Sequence, residues 1–132
     1  MTMIPEDQES MLYHTHNINL VKSIAEVVGL DWIPVKASKE REIETLTDAL
    51  EKQDSDYLIT GGIESNFQKK KFDSACEKAR MEHHAPIWGI TPKNLCREIL
   101  ENQLDVIIVS VAALGLGEEW LGRHLDKKSI KE

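Results

Sequence analysis

Apolar positions in this chain fall into short runs that alternate between the two-residue period of strands and the three-to-four spacing of helices. Met1 to Ile4 is a short apolar strand stopped by Pro5, and a polar segment from Glu6 to Thr15 follows. After a cap at Asn17, Val21, Ile24, Ala25 and Val28 recur on one helix face until Gly29 ends it. Leu30 to Val35 reads as a second strand, at a sheet edge or a strand end because Pro34 has no N–H for a ladder. Ser38 can cap the next helix, which carries Glu40 and Glu42 in its first turn and Ile43, Leu46 and Leu50 on one face. Tyr57 to Thr60 is the third strand, and the helix from Ser65 to about Arg80 buries Phe72, Ala75, Cys76 and Ala79. Ala85 to Trp88 is a brief strand or extended segment, and Thr91-Pro92 opens a helix whose buried stripe is Leu95, Cys96, Ile99 and Leu100. Val106 to Val111, nearly continuous and β-branched, is the strongest strand and has the composition of one covered on both faces. Four successive strand–helix alternations predict an α/β fold with a parallel sheet and right-handed crossovers, in a single domain over 1–132.

The centre of this pattern is Tyr57 to Phe72, a strand, a Gly61-Gly62 turn and a helix capped by Ser65 with Gln68 at the capping-box position. Glycines let a backbone turn tightly and approach a ligand, and the free N–H groups of a first helical turn favour an anion. The functional reading is a phosphate or carboxylate site, and the plain one is an ordinary connection between strand and helix. Lys69, Lys70 and Lys71 follow, but on a helix they point in different directions, so at most two could face one ligand.

Composition narrows the function classes. The 132 residues include 41% hydrophobic positions and carry a net charge of −7, against bulk binding to nucleic acid or an anionic membrane. No apolar run approaches the ~20 residues of a membrane span, and the N-terminal residues lack the basic and apolar regions of a secretion signal, so the cytoplasm is expected. Cys76 and Cys96 lack metal-ligand spacing and read as buried free thiols. His14 and His16, with His83-His84, offer imidazoles without a carboxylate or thiolate at ligand spacing, so no metal site is assigned. Trp32, Trp88 and Trp120 are scattered and read as packing anchors, and no GxSxG nucleophile elbow is present. No catalytic residue can be named from the residues alone. After Val111, Gly115, Gly117 and Gly122 break up any regular element, leaving Glu118, Glu119, Trp120 and Arg123 on a functional loop or a surface tail.

The segments MTMIPED, YHTHNI, TGGIESNFQKKKF, PIWGITP and GLGEEWLGR occur in the order and at about the spacing seen in the diphthine–ammonia ligase family of ATP pyrophosphatases, which this chain resembles over nearly its whole length. The resemblance implies a Rossmann-like, mostly parallel sheet flanked by helices, of the adenine-nucleotide α-hydrolase-like group. It implies a ligase that uses ATP and Mg²⁺ to activate the carboxylate of diphthine on elongation factor 2, by way of an acyl-adenylate that ammonia converts to diphthamide. By the same resemblance Met3, Ile4, Gly61, Gly62, Ser65 and Gln68 belong to the nucleotide, and His14, Trp88, Gly89, Glu119, Trp120 and Arg123 to the substrate.

Relative to that family the chain is a truncated, partial domain. The SGGKDS phosphate loop with its strand and helix, and the later EGGE segment, have no counterpart in it; TGGIES imitates the loop but lacks its lysine. His16, Phe67, Lys71 and Gly117 stand where the family usually has proline, tyrosine, arginine and aspartate, and a lysine in place of an arginine exchanges a planar fork for a point charge. The family's first strand would lie between those matching Met1 to Ile4 and Tyr57 to Thr60. Without it, two strand edges face a gap, so the strands should close up directly or another copy or a partner chain should supply the missing strand. The competing function is a non-catalytic nucleotide- or protein-binding module that has lost the phosphate loop. A tRNA-modifying relative of the same fold is disfavoured by the acidic balance.

Overall fold

The computed structural model describes residues 1–6 and 10–130, so residues 7–9 of the polar segment after Pro5 lie outside the described part. The backbone groups into two compact units, Met1–Trp88 and Gly89–Glu132, where the sequence reads as one domain. Two βαβ units in succession build the first. β1 (Thr2–Pro5) leads through α1 (Val21–Val28) to β2 (Pro34–Ala37), which runs parallel to it with Thr2 opposite Pro34. α2 (Glu42–Leu50) crosses to β3 (Tyr57–Ile59), and α3 (Asn66–Ala79) joins β3 to a parallel β4 (Glu82–His84) with Leu58 opposite His83. Parallel strands joined by helices are the α/β class that the alternating pattern predicts.

The strands nevertheless form two separate pairs, β1 with β2 and β3 with β4, and among the described residues β1 does not pair with β3. Direct closure of the two strands therefore does not occur. Residues from both strands instead line one cavity of about 410 Å³. Ladder parity shows which amides face it. Thr2 and Glu6 donate to Ile33 and Ala37, and Thr60 donates to His84, so the alternate residues Met3 and Ile59 turn their backbone groups to the opposite edges.

The core of this unit lies between α2, α3 and the inner strand faces. Met3, Ala37, Leu46, Leu50, Ala75 and Cys76 are buried, with Tyr13, Val35, Ile43, Phe72 and Ala79 packed against them. The stripes read from α2 and α3 are thus the packed ones. α1 differs: it buries no residue, and Ile24, Val27 and Val28 are exposed. Its face has the helical period, but among the described residues only its Val21 and Ala25 are half-buried. The outer face of β3 and β4 is equally bare at Tyr57, Ile59, Glu82 and His84, although a parallel sheet is ordinarily covered on both sides.

Caps decide the helix ends. Gly29 closes α1 in the left-handed conformation at φ 72. Ser65 and Thr91 accept from the N–H groups of Gln68 and Asn94, each at 3.3 Å, and so start α3 and α4 (Pro92–Glu101). Asn17 and Ser38 make no side-chain cap bond and precede short 3-10 turns instead.

Three strand readings are corrected. β2 begins at Pro34 rather than at Leu30, because proline fits the first position of a strand and not its interior. β4 is Glu82–His84, and Ala85 to Trp88 forms a turn closed by Trp88 N–H to Ala85 C=O at 3.0 Å, where Pro86 has no donor for a ladder. Val106 to Val111 forms no extended strand. In the second unit it makes an isolated antiparallel bridge, Ile107 to His124, with Ile107 and Val109 about half exposed. A β-branched run favours a strand only where neighbours pair with it and cover it. α4 is likewise only half-buried along Leu95, Cys96, Ile99 and Leu100. No described helix is long and apolar enough to cross a membrane.

Candidate functional site

The cavity between β1 and β3 gathers residues from six places in the sequence, one of them Ile18 and Val21 at the start of α1. Met1, Thr2 and Met3 come from the β1 side, Leu12, Tyr13 and His14 from the following segment, Leu46 from α2, Leu58 to Gly62 from β3 and its exit, and Gln68 and Phe72 from α3. Its wall is mainly apolar, with backbone edges and a few polar groups, the usual make-up of a small-molecule site. Of the residues assigned to the nucleotide, Met3, Gly61, Gly62 and Gln68 line it, as does His14 from the substrate set. Ile4 lies in the β1–β2 ladder opposite Lys36 and does not line it.

Ser65 stands apart too, its hydroxyl committed to the α3 cap. Gln68 departs from the capping-box geometry. Its side-chain amide donates to the carbonyls of Met11 (3.1 Å) and Leu12 (3.3 Å), tying the 11–14 segment over the cavity. Ser65 still caps the Gln68 N–H, but the reciprocal bond of a capping box, from Ser65 N–H to the Gln68 side chain, is given up for these two carbonyls. Gly61 and Gly62 both avoid positive φ, and the bend falls at Ile63 and Glu64. A side chain at Gly61 would meet nothing within 4 Å, so the glycines leave room rather than permit a strained turn.

The three lysines diverge as the helical spacing predicts. Lys69 pairs with Asp73 at 2.9 Å and lies 5.9 Å from the Trp88 ring centre. Lys71 lies over Phe67 and faces a separate shallow groove. Among the described residues no lysine or arginine lines the cavity between β1 and β3.

Beside the cavity is a polar chain that the sequence did not reveal. Thr60 Oγ1 is 2.8 Å from His83 Nε2, and His83 Nδ1 is 2.6 Å from Asp73 Oδ1. The His83 side chain is only 3% exposed and packs edge-on against Phe72. Hydrogen bonds from His83 and Lys69 hold the Asp73 carboxyl below its ordinary range, so it remains an acceptor. The signal available was strand parity: with Leu58 opposite His83, Thr60 and His83 share a sheet face, but that register is not visible in a linear reading. Nearby, burial and the Glu42 charge push the Tyr13 phenol upward, and its hydroxyl donates to the Glu42 carbonyl at 3.0 Å.

In the second unit, the Arg123 guanidinium stacks 4.0 Å above the Trp120 ring centre. Glu119, in the 3-10 turn Glu118–Trp120, accepts from Gly117 N–H at 3.3 Å. Its carboxylate occupies the space that a side chain at Gly117 would take, so the family's aspartate there would displace it. Gly89 has φ 82, the left-handed region that favours glycine, just after Trp88 at the end of the first unit. Among the described residues no group of three His, Cys, Asp or Glu is placed to hold a metal ion.

Comparison with known families accounts for both units. The diphthamide synthase N-terminal domain model matches residues 1–83 and the C-terminal domain model residues 91–132. The chain belongs to the diphthamide synthase family. Curated relatives include a diphthine–ammonia ligase of Bos taurus, 26% identical over 140 aligned residues covering 92% of this chain and 52% of the relative. That of Homo sapiens is 30% identical over 91 residues, 65% of this chain and 34% of the relative. That of Danio rerio is 23% identical over 143 residues, 95% of this chain and 56% of the relative. The chain thus spans between a third and somewhat over half of the length of these relatives.

Proposed function

We propose that this diphthamide synthase family chain supplies part of an ATP-dependent amide ligase of the diphthine–ammonia ligase type, acting in the cytoplasm on elongation factor 2 that carries diphthine. The cavity between β1 and β3 carries this reading, because it brings Met3, Gly61, Gly62, Gln68 and His14 to one place. Its apolar wall suits a nucleoside: Met3 and Leu58 offer surface to a purine, and the edge groups of Met3 and Ile59 offer hydrogen bonds to its rim.

The fit covers only part of ATP. A triphosphate with Mg²⁺ needs cationic and N–H groups around its oxygens, and the described residues of the cavity wall include no lysine or arginine. We therefore assign the nucleoside end to this chain and the triphosphate and Mg²⁺ to groups outside the described residues. Bound ATP would supply the leaving group that makes a carboxylate reactive. The chain's own residues would orient the nucleoside and shield it from water, with Gln68 holding the 11–14 segment over it. Within the second unit, we assign Glu119, Trp120 and Arg123 to the substrate. The alternative occupant of the gap between β1 and β3 is a strand from a second copy or a partner chain, which would pair with the same edge groups of Met3 and Ile59.

Calorimetric titration of adenosine, AMP and ATP, each with and without Mg²⁺, tests the assignment. Saturable binding of adenosine and AMP at an affinity matching that of ATP, independent of Mg²⁺, is expected. Absence of saturable binding by any of them up to millimolar concentration overturns it. The second reading, a non-catalytic module that binds a nucleotide or a protein, is favoured by the described residues of the wall including no lysine or arginine. It would then hold with a protein as the ligand.

A further inference from the structure

The nucleotide reading leaves Thr60, His83 and Asp73 unused, although they form a connected hydroxyl–imidazole–carboxylate series. An ionised carboxylate only accepts, so His83 Nδ1 carries the proton toward Asp73; in the neutral ring Nε2 then presents a lone pair to which the Thr60 hydroxyl donates. We propose that Thr60 is an activated nucleophile, with His83 as its general base and Asp73 as the orienting group, that takes the acyl group of small apolar activated esters held in the cavity between β1 and β3.

Four observations support the assignment. The distances of 2.8 and 2.6 Å place nucleophile, base and orienter within hydrogen-bonding reach, which is how an activated hydroxyl is recognised whatever its fold. The base is fixed, since its ring is 3% exposed and packs against Phe72. The imidazolium that forms during attack would face Asp73, whose other oxygen Lys69 already holds at 2.9 Å. Thr60 lines the cavity beside apolar walls from Met3, Leu12 and Leu58, and the space beyond Gly61 is open, so a planar acyl carbon has room to become tetrahedral.

The step balances within these groups. Thr60 Oγ forms a bond to the acyl carbon while its proton passes to His83 Nε2. The ester C–O bond then breaks, and the alcohol or phenol leaves with that proton. Water, deprotonated by the same nitrogen, attacks the acyl-threonine, and the released hydroxyl recovers its proton to give the acid and the starting chain. No oxidant, metal or nucleotide takes part, so the proposal stands independently of the ligase reading.

The full chain is incubated with p-nitrophenyl acetate, phenolate release is followed, and acid-quenched samples are mapped by mass spectrometry. One acetyl group on Thr60 is expected, absent in Thr60→Val and retained in Thr60→Ser. His83→Gln should slow acylation by about a hundredfold, the scale of a lost general base. Asp73→Asn frees the imidazole to take the wrong tautomer. Its side chain is 44% exposed, so the helix should persist by circular dichroism while acylation slows at least about tenfold. Acetylation confined to lysines or the N-terminus overturns the proposal, as does Thr60 acylation at an unchanged rate in folded Asp73→Asn. Those outcomes would leave the three residues as a pin between β3, β4 and α3.

Discussion

Leu46 and Leu50 sit one turn apart on α2 and are nearly equally buried, at 3% and 2% exposure. Their surroundings differ, because Leu46 also lines the cavity between β1 and β3 and Leu50 does not. Truncation of either to alanine removes three buried carbons, about 2.4 kcal/mol at about 0.8 kcal/mol per methylene. At Leu50 the void closes on all sides. A residual volume of roughly 70 Å³ at about 24 cal/mol per Å³ adds about 1.7 kcal/mol, for a total near 4 kcal/mol. At Leu46 the void merges with a space that water can enter, so most of that second contribution disappears and about 2.5 kcal/mol remains.

Leu50→Ala should therefore be the more destabilising change by roughly 1.5 kcal/mol. Urea unfolding of both variants, followed by far-ultraviolet circular dichroism, measures the difference through midpoints at equal slope. Leu46→Ala should also bind small apolar dyes better than the parent, since its cavity grows. A cost for Leu46→Ala equal to or above that of Leu50→Ala would refute the reasoning, because the cavity would then have to be closed in solution.

Other consequences are read in simpler assays. Ser65→Ala removes the acceptor for Gln68 N–H and should cost about 1 kcal/mol in urea unfolding, while Ser65→Asp, which restores an acceptor at the helix start, should recover most of it. Thiol titration of the native chain should show Cys96, which is half-buried, reacting first and Cys76 only on unfolding, because burial and the Asp73 charge raise the Cys76 thiol. The Tyr13 phenol is raised above its ordinary 10.0, so the folded state retains the proton that the unfolded state loses. Its stabilisation is full below pH 10 and declines as the pH rises through the higher folded value. Thermal unfolding of Tyr13→Phe should accordingly fall less steeply with pH above about 10 than that of the parent.

What the sequence conveyed follows from how local each cause is. Helix starts at Ser65 and Thr91 and the stop at Gly29 depend on residues within one turn, and they occur where the chemistry places them. The stripes of α2 and α3 pack because two helices meet there, whereas Ile24, Val27 and Val28 of the equally periodic α1 face are exposed because nothing described covers them. Periodicity reports the face a helix offers, not whether a partner accepts it. Val106 to Val111 fails for the same reason, since among the described residues a run suited to a covered strand finds only the segment near His124. The site divides similarly. Met3, Gly61, Gly62 and Gln68 are near a strand end or helix start and could be marked from sequence, but the series Thr60, His83 and Asp73 exists only through the β3–β4 register.

The feature that makes the cavity also leaves the sheet incomplete. Met3 and Ile59 direct their backbone groups to the open edges of β1 and β3, while Ile4 and Leu58 lie in the ladders. Amide exchange read by NMR should distinguish these pairs residue by residue. With the cavity open to water, Met3 and Ile59 exchange faster than Ile4 and Leu58 by orders of magnitude, since only the latter need the strands to separate. If a second copy inserts a strand, protection at Met3 and Ile59 rises with protein concentration and leaves Ile4 and Leu58 nearly unchanged. Added adenosine would protect Met3 and Ile59 at a fixed, low protein concentration. Fast exchange at both residues that neither concentration nor adenosine alters would refute both occupants of the gap, and with them the nucleoside assignment of this edge.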